Sequence, residues 1–242
     1  MLLINSKLKK LMTFSILATL PGLCLAAVSL DRTRVIFPGD KKAISLTVKN
    51  DNELSPYLAQ SWLEDSEFNK VRIGPFIVSP MVQRIEPGQK SSVRISQSNL
   101  IKDLPTDRES LYYFNLREVP PKSDQSNSLQ IALQTKIKFF YRPESILPGK
   151  NYIWQEELIG EAQAKGYVIK NPTPYYISVI GVSGSADKQN SYDFKPFMIE
   201  PKSDKFLDKN LGKQFYLSYI NDWGGTKVLE FNCLRKTCKV KK

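Results

Sequence analysis

The longest alternating stretch of the chain is residues 127–142, NSLQIALQTKIKFFYR, which runs sixteen residues without a Gly or a Pro. Leu129, Ile131 and Leu133 fall on one side of an extended strand, and Gln130, Ala132 and Gln134 on the other, because successive strand side chains point to opposite faces. The pattern predicts one strand over 127–142, far longer than the usual five or six residues. The preceding PPKSDQS (120–126) has few apolar residues and reads as a loop, so residues 129–133 emerge from an edge. Alternation says that a face is covered without saying by what. The apolar side faces either its own domain's core or a partner strand, since an uncovered apolar edge is an aggregation hazard.

Other strand signals recur at short intervals. AISLTVKN (43–50) alternates up to the turn residues Asn50, Asp51 and Asn52, and YLAQSWL (57–63) follows. Phe76 to Val78 leads through Ile85 to EPGQ (86–89), where Pro-Gly suits a type II turn, and then to SSVRIS (91–96). With 111–119 and 127–142 this makes about seven strands, with turn signals and no sustained helical period, which predicts an immunoglobulin-like sandwich. After Arg142-Pro143 a second β-rich series begins: GYVIKN (166–171), the turn NPTP (171–174), YYISVIGV (175–182), FMIEP (197–201), FYLSYIND (215–222) and VLEFNC (228–233). The turns NDNELSPY and NPTPYY sit at comparable depth in the two halves, as expected of two related sandwiches. The fold class is therefore all-β, with domains over 27–147 and 148–242.

Residues 1–26 read as a signal peptide: Lys7, Lys9 and Lys10 precede a mostly apolar 11–25, and Cys24-Leu25-Ala26 supplies a cleavage site. A lipid anchor on Cys24 would want a small residue where Leu23 stands, so Cys24 is expected to leave with the signal. No later segment approaches eighteen uninterrupted apolar residues, which predicts an exported chain not embedded in the membrane. Its formal charge falls from +11 to +8, with 32 basic against 24 acidic residues in 27–242. The cations are scattered apart from the tail Lys239, Lys241 and Lys242, which argues against nucleic acid and for an ordinary basic surface. Cys233 and Cys238, five positions apart, read as a local disulfide across a terminal hairpin in an oxidising compartment.

The chain has no histidine, which removes the Ser-His-Asp base and every His-containing metal site. Ser-x-x-Lys spacings occur, but none sits on a strand-to-helix elbow, and Gly224-Gly225 stands alone without a phosphate loop. These absences favour a binding protein without metal or cofactor over an enzyme.

The segment LPTDRESLYYFNLREVP (104–120) resembles the signature of the periplasmic pilus chaperones of the PapD type. The likeness continues through AVSLDRTR (27–34), PYLAQ (56–60), VQRIEPG (82–88), LQIALQTKIK (129–138), FYRP (140–143), NPTPYY (171–176) and SYINDWGG (218–225). The resemblance implies two immunoglobulin-like domains in a boomerang with a cleft between them. It implies an ATP-independent chaperone that binds pilin subunits, tip adhesin included, and delivers them to an outer-membrane usher. Subunits lacking a last strand are completed by donor-strand complementation, a form of β-augmentation. Leu129, Ile131 and Leu133 would be the donated side chains. Arg34 and Lys138 would anchor the subunit's C-terminal carboxylate, with Lys136 on the same face as an accessory or a bystander.

Glu109, Arg142 and Asp222 match the family's interdomain ionic network, and a disulfide in the C-terminal domain also occurs in the family. The short loop before the donated residues resembles the subfamily that builds rod-like pili with adhesive tips. The sequence leaves open whether free chains hide this edge by self-association, which an unpaired apolar strand makes plausible. The contrasting expectations are an exported adhesin that uses the sandwich as a static scaffold and, more distantly, a Ser-Lys hydrolase.

Overall fold

In the computed structural model the described residues are 27–123, 127, 129–185 and 194–241, so the expected signal segment 1–26, Cys24 included, lies outside them. The first half contains β1 (Val28–Leu30), β2 (Arg34–Pro38), β3 (Ala43–Asn50), β4 (Tyr57–Glu64) and β5 (Phe76–Ser79). It continues with β6 (Val82–Ile85), β7 (Lys90–Gln97), β8 (Ser110–Val119) and β9 (Gln134–Arg142). One sheet runs β1-β3-β7-β5 and the other β2-β9-β8-β4-β6. Alternate residues of each point inward: Leu46 and Val48 on β3, Val93 and Ile95 on β7, and Ile137, Phe139 and Tyr141 on β9 are buried. Phe37, Phe76 and Phe139 form the aromatic centre, with ring centroids 4.9–5.9 Å apart. Each such side chain contributes about 1.5–3 kcal/mol by leaving water.

Two sequence expectations need correction. The strand expected over 127–142 begins at Gln134, and Leu129, Ile131 and Leu133 lie outside any strand. The last contact with β8 is the Glu118 amide donating to the Leu133 carbonyl at 3.0 Å. Likewise the half holds nine strands where about seven were expected: β1 and β2 come in addition, and β5 and β6, on either side of Pro80 and Met81, belong to opposite sheets.

The second half contains β10 (Ile159–Ala162), β11 (Tyr167–Asn171), β12 (Ile177–Ser183), β13 (Phe197–Ile199), β14 (Ser203–Leu207), β15 (Gln214–Ile220), β16 (Thr226–Leu234) and β17 (Thr237–Val240). Its ladder runs β13-β12-β15-β16-β17-β10-β11-β14, and the terminal strands β13 and β14 approach each other, wrapping the ladder around a second core. Phe215 and Phe231 stack there at 4.6 Å. Cys233 and Cys238 are register partners on the β16–β17 hairpin and form a disulfide. Gly160 of β10 passes against that bridge, where an added Cβ would come within 3.0 Å of the Cys238 Cβ. The molecule is thus two immunoglobulin-like β domains.

The paired turns share a physical device. Asn50 and Asn171 are both buried, and each carboxamide pins its own turn. The Asn50 Nδ2 donates to the Ser55 and Ile85 carbonyls at 2.9 and 3.1 Å, and the Asn171 Nδ2 to the Tyr175 and Glu200 carbonyls, both at 2.8 Å. A buried carboxamide is tolerated because its donors and its acceptor are all engaged.

Candidate functional site

The site is built on β2 and β9, which pair in parallel with Arg34 opposite Lys138 and Pro38 opposite Arg142. Since Ile137, Phe139 and Tyr141 fill the core, Lys138, Phe140 and Arg142 face the other way, towards the second domain. Phe140 meets the Tyr176 ring at 5.7 Å. One strand face therefore carries two cationic centres four residues apart.

The centre at Arg142 is saturated. Its Nε donates to the Glu109 Oε1 at 2.8 Å, and its Nη1 and Nη2 donate to the Asp222 carboxylate at 2.7 and 3.1 Å. The guanidinium also lies 4.8 Å from the Trp154 ring and 5.0 Å from the Tyr175 ring. The second oxygen of Glu109 accepts from the Tyr176 amide at 2.8 Å. Burial pushes the Glu109 carboxyl up to about 7 against the pull of Arg142 and that amide. Burial also works against the charge of Arg142, but the bonds from Asp222 and the field of Glu109 overcome it and hold its pKa above the ordinary value. The three expected network residues are thus brought together at the domain junction. Trp154, Tyr175 and the Tyr176 amide, which sequence reasoning had not placed there, complete the set; the YY of NPTPYY was the visible trace of the two tyrosines, and Trp154 left none.

The centre at Arg34 and Lys138 is unsaturated. Arg34 is buried, its Nη1 donates to the Ile220 carbonyl at 3.1 Å, and its Nε has no partner among the described residues. Lys138 donates to the Ser178 hydroxyl at 3.0 Å. Burial holds the Arg34 guanidinium below its ordinary value despite Asp222 and Glu109. Burial together with the field of Arg34 pushes Lys138 down to about 8. Two half-desolvated cations side by side, with only neutral acceptors, make a seat for an anion. Lys136 is engaged elsewhere: its Nζ pairs with Glu64 at 2.6 Å, and Glu64 also accepts from the Trp62 indole at 3.0 Å.

Beyond the seat, the edge of β9 is open. β2 pairs only with residues 138–142 of β9, so the β2-side edge of 134–137 has no ladder partner among the described residues. Leu129, Ile131 and Leu133 continue that line and are 88, 63 and 43 % exposed, so they fill neither core. The loop before them falls partly on residues 124–126 and 128, outside the described ones.

Residues 27–147 match the model of the pili and flagellar-assembly chaperone, PapD N-terminal domain, and residues 153–231 that of the pili assembly chaperone PapD, C-terminal domain. The chain belongs to the PapD family of pilus-assembly chaperones. It is 52% identical to the chaperone protein PapD of Escherichia coli over 217 residues, covering 90% of this chain and 91% of that one. It is 40% identical to the chaperone protein PmfD of Proteus mirabilis, covering 97% and 95%. Among solved structures it is similar to the periplasmic chaperone SfaE (28% identity, TM-score 0.67, covering 84% and 98%). It is also similar to a chain of the Salmonella enterica SafA pilin in complex with the SafB chaperone (26% identity, TM-score 0.72, covering 86% and 97%). The chaperone is not an enzyme, as the assembly role of the family implies. None of its described helices is long and apolar enough to cross a membrane.

Proposed function

We propose that this chaperone works in the periplasm, where it captures pilin subunits, tip adhesin included, by donor-strand complementation and hands them to an outer-membrane usher. The observation that carries this reading is the open edge of β9 continuous with three exposed apolar side chains. An incoming strand added there in line with β2 runs parallel to β9, and its chain end then meets Arg34 and Lys138. A carboxylate at that point supplies the charge-assisted bonds the two cations lack and fixes the register of the added strand. Each of Leu129, Ile131 and Leu133 would contribute about 1.5–3 kcal/mol on entering a subunit groove. In this role Glu109, Arg142 and Asp222 hold the cleft angle, and free chains cover the edge by pairing with a second copy. A static adhesin built on the same domains has no need of an unpaired edge ending at a cationic seat.

The test is Ile131→Glu, which sets a charge where a subunit offers an apolar groove. The variant should keep the circular dichroism and melting temperature of the parent and lose pilin co-purification from periplasmic extracts. A folded variant that still captures subunits refutes donor-strand complementation.

A further inference from the structure

Trp223 is 93 % exposed, more than any other large apolar side chain among the described residues, whereas Trp62 and Trp154 are buried. A lone leucine in water needs no explanation, but a fully exposed indole is the side chain most often used to anchor a partner. Its backbone is held on both sides. The Asn221 carboxamide oxygen accepts from the Trp223 amide at 3.1 Å and from the Gly225 amide at 2.9 Å, and Asp222 is gripped by Arg142. Gly224, at φ +81°, lies where a Cβ would collide with the Thr33 hydroxyl, so the turn bears on the start of β2 in the other domain. The ring is therefore free while its mounting is fixed. It lines a cleft of about 530 Å³ together with Thr33, Arg34, Ile36 and Asp222.

We propose that Trp223 is a specificity platform that receives the last apolar side chain of a captured subunit, so that the seat reads the residue beside the carboxylate as well as the carboxylate. The inference rests on the carboxylate-anchor reading above. A chain end that stops at Arg34 has the Trp223 face as its next wall, and stacking on a pre-positioned ring loses little conformational freedom. The preferred subunits are those ending in an aromatic or branched aliphatic residue.

Three short peptides of the same alternating apolar sequence test this: one ending in a free-acid phenylalanine, one in a free-acid glycine, and one in phenylalanine amide. The full chain should bind the phenylalanine acid with a blue shift of tryptophan emission, because only Trp223 starts in water. Trp223→Ala should lose about tenfold in affinity for that peptide, bind the glycine acid as the parent does, and keep the parent's melting temperature. Trp223→Phe should retain most of the preference. Equal affinity of Trp223→Ala and the parent for the phenylalanine acid, or binding without a spectral shift, overturns the platform while leaving the anchor intact. If the acid and the amide bind alike, or no peptide binds, the anchor fails and the platform with it.

Discussion

Two cationic centres lie four residues apart on β9, and they are built to opposite ends. Arg142 has two carboxylates, two aromatic faces and a partner for every guanidinium nitrogen, whereas the equally buried Arg34 and the half-buried Lys138 have one neutral acceptor each. Burying a charge is costly unless it is paired. At Arg142 the pairing is internal and joins the domains. At Arg34 and Lys138 the cost is left standing in the free chain, as expected of a site that keeps its partner outside. Burial alone does not separate a structural cation from a binding one; the count of charged partners does.

The comparison breaks most visibly at Arg142. Arg142→Ala leaves Glu109 and Asp222 facing each other without compensation and should cost about 3–5 kcal/mol of stability. Asp222→Ala leaves Arg142 on Glu109 and should cost less. Differential scanning calorimetry reads the stability, and small-angle scattering should show a broader range of domain arrangements for Arg142→Ala. If both variants match the parent, the network does not hold the junction.

The same operation on Lys138 should have the opposite sign. The folded pKa of Lys138, about 8, lies below that of an unfolded lysine. Between about 8 and about 10.4 the unfolded chain therefore binds more protons, and the stability of the free chain rises with pH across that window. Lys138→Met removes the penalty and should stabilise the chain at pH 7 by about 1–2 kcal/mol, allowing for partial solvent contact. Subunit capture should weaken at least about tenfold as the anchor is lost. A variant that is both less stable and fully competent contradicts the contrast.

The smallest effect belongs far from the junction. Replacing Cys233 and Cys238 by serine opens a short loop and should lower second-domain stability by about 2 kcal/mol, with subunit capture unchanged. Urea unfolding beside co-purification measures both, and capture lost in a folded variant would tie the hairpin to the site.

Much of this was legible beforehand because strand period and turn chemistry are local. Val93 and Ile95, or Asn50 and Asn171 at their turns, announce themselves in the sequence. The strand expected over 127–142 failed from residue 133 down because alternation marks a face to be covered, and nothing among the described residues covers it: Leu129, Ile131 and Leu133 are exposed. Short strands such as β10 and β14 carry little apolar pattern and were invisible, β17 was foreseen only as the far arm of the cysteine hairpin, and no periodicity reports that β5 and β6 lie in opposite sheets. Arg34, Lys138, Glu109, Arg142 and Asp222 were singled out by family resemblance, since their meaning depends on a parallel register and a domain junction that spacing does not encode. Trp223 gave no signal in the sequence beyond a tryptophan in the turn NDWGG; its exposure is a property of the folded chain.

The most direct measurement is the titration of Lys138 by NMR of its side-chain nitrogen, in the free chain and in complex with a captured subunit. The account predicts a midpoint near 8 in the free chain. In the complex it should rise back towards the ordinary lysine value, because a seated carboxylate favours the charged form, and affinity should fall as the pH climbs past the free value. The same midpoint in both states would mean that no carboxylate sits between Arg34 and Lys138.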